Sequence, residues 1–106
     1  MKEITVKEHL QEKLKDPYFR ELYELEQQKF GIVRKIIDYR IKNHLSQTDL
    51  AEKIGVSQQH ISKIESGEFS SVATLEKVLL GIGLTVRMEA VKLSHPLQVK
   101  RALALA

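Results

Sequence analysis

LSQTDLAEKIGVSQQHISKIESG, running from Leu45 to Gly67, is the stretch that decides the fold. It reads as two short helices joined by a tight turn. Ser46 is placed to cap the first helix, and Asp49 follows it in a variant of the capping-box position. Leu50, Ala51 and Ile54 then share one helical face. Gly55 supplies the left-handed conformation that ends the helix. Val56 turns into the core, and Ser57 caps the second helix, on which Ile61 and Ile64 point inward until Gly67 stops it. The apolar side of both helices is thereby used up. Gln58, Gln59, Ser62 and Lys63 remain outside, an uncommon set for an ordinary surface. Glutamine bonds adenine bidentately, lysine reaches guanine or phosphate, and serine bonds either.

The order LSQxxLAxxxGVSxxxISxIExG resembles the helix-turn-helix of the XRE (Cro/phage-repressor-like) family. Gln47, Leu50, Ala51, Gly55, Val56, Ser57, Gln58, Gln59, Ile61, Ile64, Glu65 and Gly67 carry the resemblance. It extends over roughly residues 32–83 and implies a λ-repressor-like all-α domain whose second helix of the motif enters the major groove. It also implies that Gln47 bonds a phosphate, with Ser57 and Ser62 expected at phosphates beside it. Gln58 and Gln59 alone would be read as solvated helix residues. Placed just after the cap of the second helix in this motif, they are expected to touch bases, with Lys63 a turn further on. Positions matching Arg40 and Glu65 form an ion pair in the family, between the first and third helices of its domain. Arginine suits that role because its planar fork meets a carboxylate bidentately. The plainer alternative for each is a free surface charge. His60 and Lys63 stand at variable positions, so the operator sequence does not carry over.

Composition sets the outer bounds. The chain has 106 residues, 42% hydrophobic and 29% charged, which fits one domain of modest core with additions at its ends. Cysteine is absent, as suits a reducing cytoplasm, and a cytoplasmic location is expected. No apolar run is long enough to span a bilayer and no signal-peptide pattern appears. The net charge of +3 is unevenly spread. Residues 1–31 carry six Lys/Arg against seven Asp/Glu, residues 32–67 six against four, and residues 68–106 five against three. A basic centre behind a mildly acidic front fits DNA binding and a separate task for the front, although solvated surfaces often differ this much.

At the front, Thr5-Val6-Lys7-Glu8 is a capping box opening a short helix from Val6 to about Leu14. Its apolar stripe of Val6, Leu10 and Leu14 is thin, and a helix this short needs a surface to lie on. Asp16-Pro17 restarts the chain, with Asp as cap and Pro at the first helical position. From there the apolar residues stay in one helical phase across Gly31. Phe19, Tyr23, Phe30, Val33 and Ile37 form one stripe, and Leu22, Leu25, Ile32 and Ile36 form its neighbour. One helix over 17–42 is expected, about 40 Å long at 1.5 Å per residue. The alternative is a break at Gly31, because glycine costs about 1 kcal/mol inside a helix. Asn43-His44 ends the helix, with Asn suited to the left-handed position.

Beyond Gly67, one of the serines in Glu68-Phe69-Ser70-Ser71 caps a last helix over 72–82, burying Val72, Leu75, Val78, Leu79 and Ile82. Gly83 stops it. Leu84-Thr85-Val86-Arg87-Met88-Glu89 then alternates strictly, a strand signal. A lone strand leaves its backbone groups unpaired. Residues 84–93 are therefore expected to pair with a second copy in a homodimer on a palindromic operator. The resembling family often closes with a fifth helix there, so the strand departs from it. The tail, 94–106, carries no functional reading.

Catalysis has little support. His9, His44, His60 and His95 share no ligand spacing, and without cysteine there is no zinc pattern. No serine sits in a nucleophile elbow, and the glycines 81 and 83 lack the order of a phosphate loop. No enzyme, metal or cofactor is expected. The expected function is sequence-specific repression through double-stranded DNA. The segment DPYFRELYELEQQKF ahead of the motif also resembles antitoxins of the HigA kind, which implies autoregulation of an operon and an RNA-cleaving toxin as partner. On that reading residues 1–31 are a partner-binding extension in which Phe19, Leu22, Tyr23 and Leu25 are the anchors. The plainer alternative is that this stripe folds back on its own domain. Two alternative functions remain: a stand-alone XRE-type regulator, and a protein-interaction module that uses the helix-turn-helix as scaffold.

Overall fold

A computed structural model describes residues 5–92. The described residues form helices and connecting loops only: α1 (Val6–Lys13), α2 (Pro17–Lys42), α3 (Gln47–Ile54), α4 (Gln58–Glu65) and α5 (Val72–Gly81). By their contacts the residues separate into two units. Of the described residues, one unit holds 5–27 and 89–92, and the other spans Gln28–Met88. The tail, 94–106, lies outside the described residues.

In the first unit, α1 carries the full capping box: Glu8 N–H donates to Thr5 Oγ1 (3.1 Å) and Thr5 N–H to Glu8 Oε2 (3.3 Å). None of its side chains is buried. Asp16 accepts from Tyr18 N–H (2.9 Å), so it caps α2 in front of Pro17. Tyr18 is the buried aromatic of this segment, while Phe19 and Tyr23 are half-buried and stack on each other at 6.4 Å. α2 runs unbroken through Gly31. The loss of about 1 kcal/mol at one exposed glycine is small beside the hydrogen bonding of its neighbours and the packing of Val33 and Ile36 just after it.

In the second unit α3, α4 and α5 pack on one another. Ile36, Leu50, Ala51, Ile61, Ile64, Leu75, Val78, Leu79 and Ile82 form the core, with Val56, Leu84 and Val86 packed against it. Helix ends in this unit are closed alike. The backbone reverses at a positive φ, and the next N–H bonds a carbonyl five residues back. At the end of α3, Gly55 takes φ 86° and Val56 N–H reaches the Ala51 carbonyl at 3.0 Å. At the end of α2 the left-handed residue is His44 (φ 55°), not Asn43. Asn43 instead extends the last turn, and its Nδ2 donates to the Tyr39 carbonyl at 2.8 Å.

Two expectations need correction. Val72 does not enter the core: it stands exposed at the first position of α5, ahead of the stripe formed by Leu75, Val78 and Leu79. The strand expected within 84–93 is also not formed. Residues 84–92 hold neither strand nor helix. The alternation is real as far as it goes, because Leu84 and Val86 are half-buried against the core while Thr85 and Arg87 face outward. It fails at Met88, which is 71% exposed. A strand requires a second strand to pair with, and no other described segment of the chain is extended in that way.

Candidate nucleic-acid interface

The turn between α3 and α4 is built by short-range chemistry. Ser46 Oγ accepts from Asp49 N–H (3.0 Å), and Asp49 Oδ2 accepts from Ser46 N–H (2.9 Å). The backbone bond from Ser46, helped by its hydroxyl, holds the Asp49 carboxyl below the ordinary aspartate range. At the far end of α3, Lys77 of α5 donates Nζ to the Gly55 carbonyl at 3.0 Å, satisfying a carbonyl at a helix C-terminus. Beside it Gly81 lets α5 approach Ile54 so closely that a Cβ there would lie 2.6 Å from Ile54 Cγ1. Lys53 of α3 lies over the ring of Tyr39 in α2 and donates to its hydroxyl. These contacts fix α3 against its neighbours. Neither Lys77 nor Gly81 was legible as a positioning residue, because each matters only through an approach between elements distant in sequence.

α4 then has one side spent on the core through Ile61 and Ile64. Gln58, Gln59 and Lys63 are exposed on it, and Ser62 is half-buried. Ser57 is the N-cap: its Oγ accepts from His60 N–H (3.2 Å) and also lies 3.0 Å from His60 Nδ1. Gln47, the first residue of α3, is half-buried and comes to Gln58, the first residue of α4, whose Nε2 donates to Gln47 Oε1 at 2.8 Å. Gln47 Nε2 in turn donates to Glu65 Oε1 at 3.3 Å.

Glu65 lies between two helices. Arg40 of α2 donates Nε to Glu65 Oε2 and Nη2 to Glu65 Oε1, both at 2.9 Å, and Nη1 to the Leu45 carbonyl at 3.2 Å. The side chains are 20% and 7% exposed. Glu65 holds the Arg40 guanidinium and raises its pKa further above an already high value. Gln47, Gln58, Arg40 and Glu65 thus form one continuous network. Ser57, Ser62, Gln59 and Lys63 lie outside it among the bonds described here. The link from Gln47 to Gln58 could have been suspected from sequence, since both stand at the first position of adjoining helices.

Comparison with known proteins agrees with this geometry. The helix-turn-helix family profile matches residues 36–87. The ImmF control region 10 kDa protein of Bacillus phage phi105 is 34% identical over 65 residues, covering 60% of this chain and 70% of that protein. The chain belongs to the Cro/repressor-like helix-turn-helix family. This is a family of DNA-binding regulators, which bind double-stranded DNA and typically have no enzymatic activity. No solved structure matches the chain. The family match begins inside α2 and ends beyond α5, so it takes in the whole Arg40–Glu65–Gln47–Gln58 network. Among the described residues, no group of His, Asp and Glu is arranged to hold a metal ion. No described helix is long and apolar enough to cross a membrane.

Proposed function

We propose that this member of the Cro/repressor-like helix-turn-helix family is a sequence-specific transcriptional repressor. α4 lies in the major groove, with Gln58, Gln59 and Lys63 at base edges and Gln47, Ser57 and Ser62 at phosphates. The observation that carries this reading is the exposed polar side of α4: its apolar side is wholly spent on Ile61 and Ile64, while Gln58 is tied to Gln47 across the turn. The working form is a homodimer on a palindromic site, with its two α4 helices about 34 Å apart, one turn of DNA. Phe30, Ile41, Val72, Leu80 and Met88 are the exposed large apolar residues of the second unit, and we assign the contact to Leu80 and Met88 among them.

Selection of sites from a random DNA pool, followed by titration over salt, tests the reading. Enrichment of a palindrome and a steep fall of affinity with salt are expected, because phosphate contacts release counterions. Gln58→Ala and Gln59→Ala should each lose about 1–3 kcal/mol of discrimination between operator and random DNA. No binding at low salt would favour the interaction-module alternative.

A narrower reading adds an antitoxin role for the first unit. It is supported by exposed Leu22 and Leu25 on the same helix as the stacked Phe19–Tyr23 pair, the spacing of a helix laid into a partner's groove. Glu21, Glu24 and Glu26 beside them suit a basic, RNA-cleaving partner. The test is co-expression with the product of the neighbouring gene. The wild type should rescue growth, while Leu22→Asp/Leu25→Asp should fail to rescue and still bind the operator. A neighbouring gene that is harmless alone removes this role and leaves the plain repressor.

A further inference from the structure

We propose that Glu65, held by Arg40, is a positioning residue that fixes the amide polarity of Gln58 through Gln47 and thereby sets the base that Gln58 reads. The inference rests on the DNA-binding reading above and goes beyond it, because Glu65 itself need touch no DNA. A glutamine amide has a donating end and an accepting end of nearly the same shape, so packing alone orients it poorly. A carboxylate only accepts. Glu65 Oε1 already accepts from Arg40 Nη2 at 2.9 Å, which holds it in place as an acceptor. The end of Gln47 that faces it must therefore be Nε2, at 3.3 Å. That leaves Gln47 Oε1 facing Gln58, and an oxygen there demands a donor, so Gln58 turns Nε2 toward it at 2.8 Å.

Polarity thus passes from a mostly buried ion pair to the exposed surface in two steps. The result at the surface is defined. One hydrogen of Gln58 Nε2 is taken by Gln47, which leaves one N–H and the Oε1 acceptor side by side. That is the complement of adenine, which presents N7 as acceptor and N6–H as donor in the major groove. With the relay reversed, Gln47 would donate to Gln58 Oε1, and both N–H groups of Gln58 would face the groove. That pair suits guanine, whose N7 and O6 are both acceptors. The Arg40–Glu65 pair therefore acts as a specificity determinant as well as a tie between α2 and α4.

The experiment has two arms, on the full chain. The first reads the free protein by NMR of its side-chain amides. In the wild type the Nε2 protons of Gln58 and Gln47 should be dispersed away from free glutamine values. Glu65→Gln, whose amide accepts either polarity, should bring them toward those values, and so should Gln47→Met, which leaves the ion pair intact. The second arm measures affinity for the selected operator and for variants with A·T changed to G·C at single positions. The adenine-over-guanine ratio at one position should fall about tenfold in Glu65→Gln, consistent with losing one bidentate preference. Gln47→Met should show the same fall on top of a general loss of affinity. Thermal unfolding is followed in parallel, because a merely structural role would lower stability and all affinities together without moving the ratio. Free-glutamine amide signals in the wild type overturn the relay whatever the protein binds. An unchanged ratio in both variants overturns its role in specificity. If no DNA is bound at all, the repressor reading fails and the specificity role with it, while the NMR arm still decides whether the relay exists.

Discussion

Individual residues in this chain matter through hydrogen-bond partners more than through bulk. Asp49 is the simplest case. Its carboxylate accepts from Ser46 N–H, and its pKa is depressed by that bond. A group whose folded pKa is depressed stabilises the fold above its unfolded value and withdraws that stabilisation as pH falls through the folded value. Thermal melts of wild type and Asp49→Asn should therefore differ by a constant amount at neutral pH, with the wild type more stable, and converge as pH falls below about 4. Arg40 and Glu65 call for a different measurement. Arg40→Met strands a carboxylate that is 7% exposed, at an expected cost of about 2–3 kcal/mol, less than the ~3–5 of full burial because the arginine retains some water. Arg40→Met/Glu65→Leu should recover much of that loss in denaturant melts; strictly additive single effects would mean that the pair is not coupled. The need for this pair came from the family resemblance, since nothing in the local pattern of either residue marks it. The role of His44 is hidden in the sequence for a related reason. Residue preference places the reversal at the end of α2 on Asn43, but the Asn43 side chain is engaged with the Tyr39 carbonyl and the reversal falls one residue later.

At the scale of the elements, the same substitution should have opposite signs at two helical glycines. Gly31 lies in α2 with nothing within 4 Å of where a Cβ would stand. Gly31→Ala should stabilise by about 0.5–1 kcal/mol, through helix propensity alone. Gly81 ends α5 against Ile54, and a Cβ there meets Ile54 Cγ1 at 2.6 Å. Gly81→Ala should destabilise by about 1–3 kcal/mol, because half-buried Ile54, packed against the core, must move. Denaturant midpoints for the two variants decide both statements, and a stabilising Gly81→Ala would mean that the approach of α5 to α3 is looser than described. These glycines also show where sequence reading stops. Helix existence was legible from caps and apolar phase: Thr5, Ser46, Ser57 and Ser71 each cap a helix through a side-chain oxygen. At Gly31 the apolar phase continues, and the helix runs through it as that phase predicts. The structural demand at Gly81 was invisible, because it depends on a neighbour brought close only by the tertiary fold. The segment after Gly83 departs from the strand its alternation predicts for the converse reason. Alternation at Leu84 and Val86 reports which side is buried, and burial against helices produces it as well as a sheet does.

For the molecule as a whole, the question is how a DNA-reading unit of this size gains enough affinity and selectivity. One copy presents a single α4, and a few bidentate contacts at about 1–3 kcal/mol each separate operator from random DNA only modestly. Two copies joined by a two-fold axis double the number of base contacts, and they make selectivity depend on the spacing of half-sites as well as on their sequence. Leu80 and Met88 in the second unit are exposed apolar residues that a lone copy would leave in water. If they form the contact between copies, Leu80→Asp/Met88→Asp should shift the sedimenting species from dimer to monomer at micromolar concentration. Each α4 would keep its own chemistry, so the variant should still bind a single half-site as the wild-type monomer does. It should lose the dependence on spacing, binding operators with half-sites moved by half a helical turn as well as the native arrangement. A variant that remains dimeric, with its spacing preference intact, would place the contact elsewhere on the molecule. A wild type that is monomeric and indifferent to spacing would refute dimeric recognition outright, leaving a DNA-binding regulator that must draw its selectivity from one copy of α4.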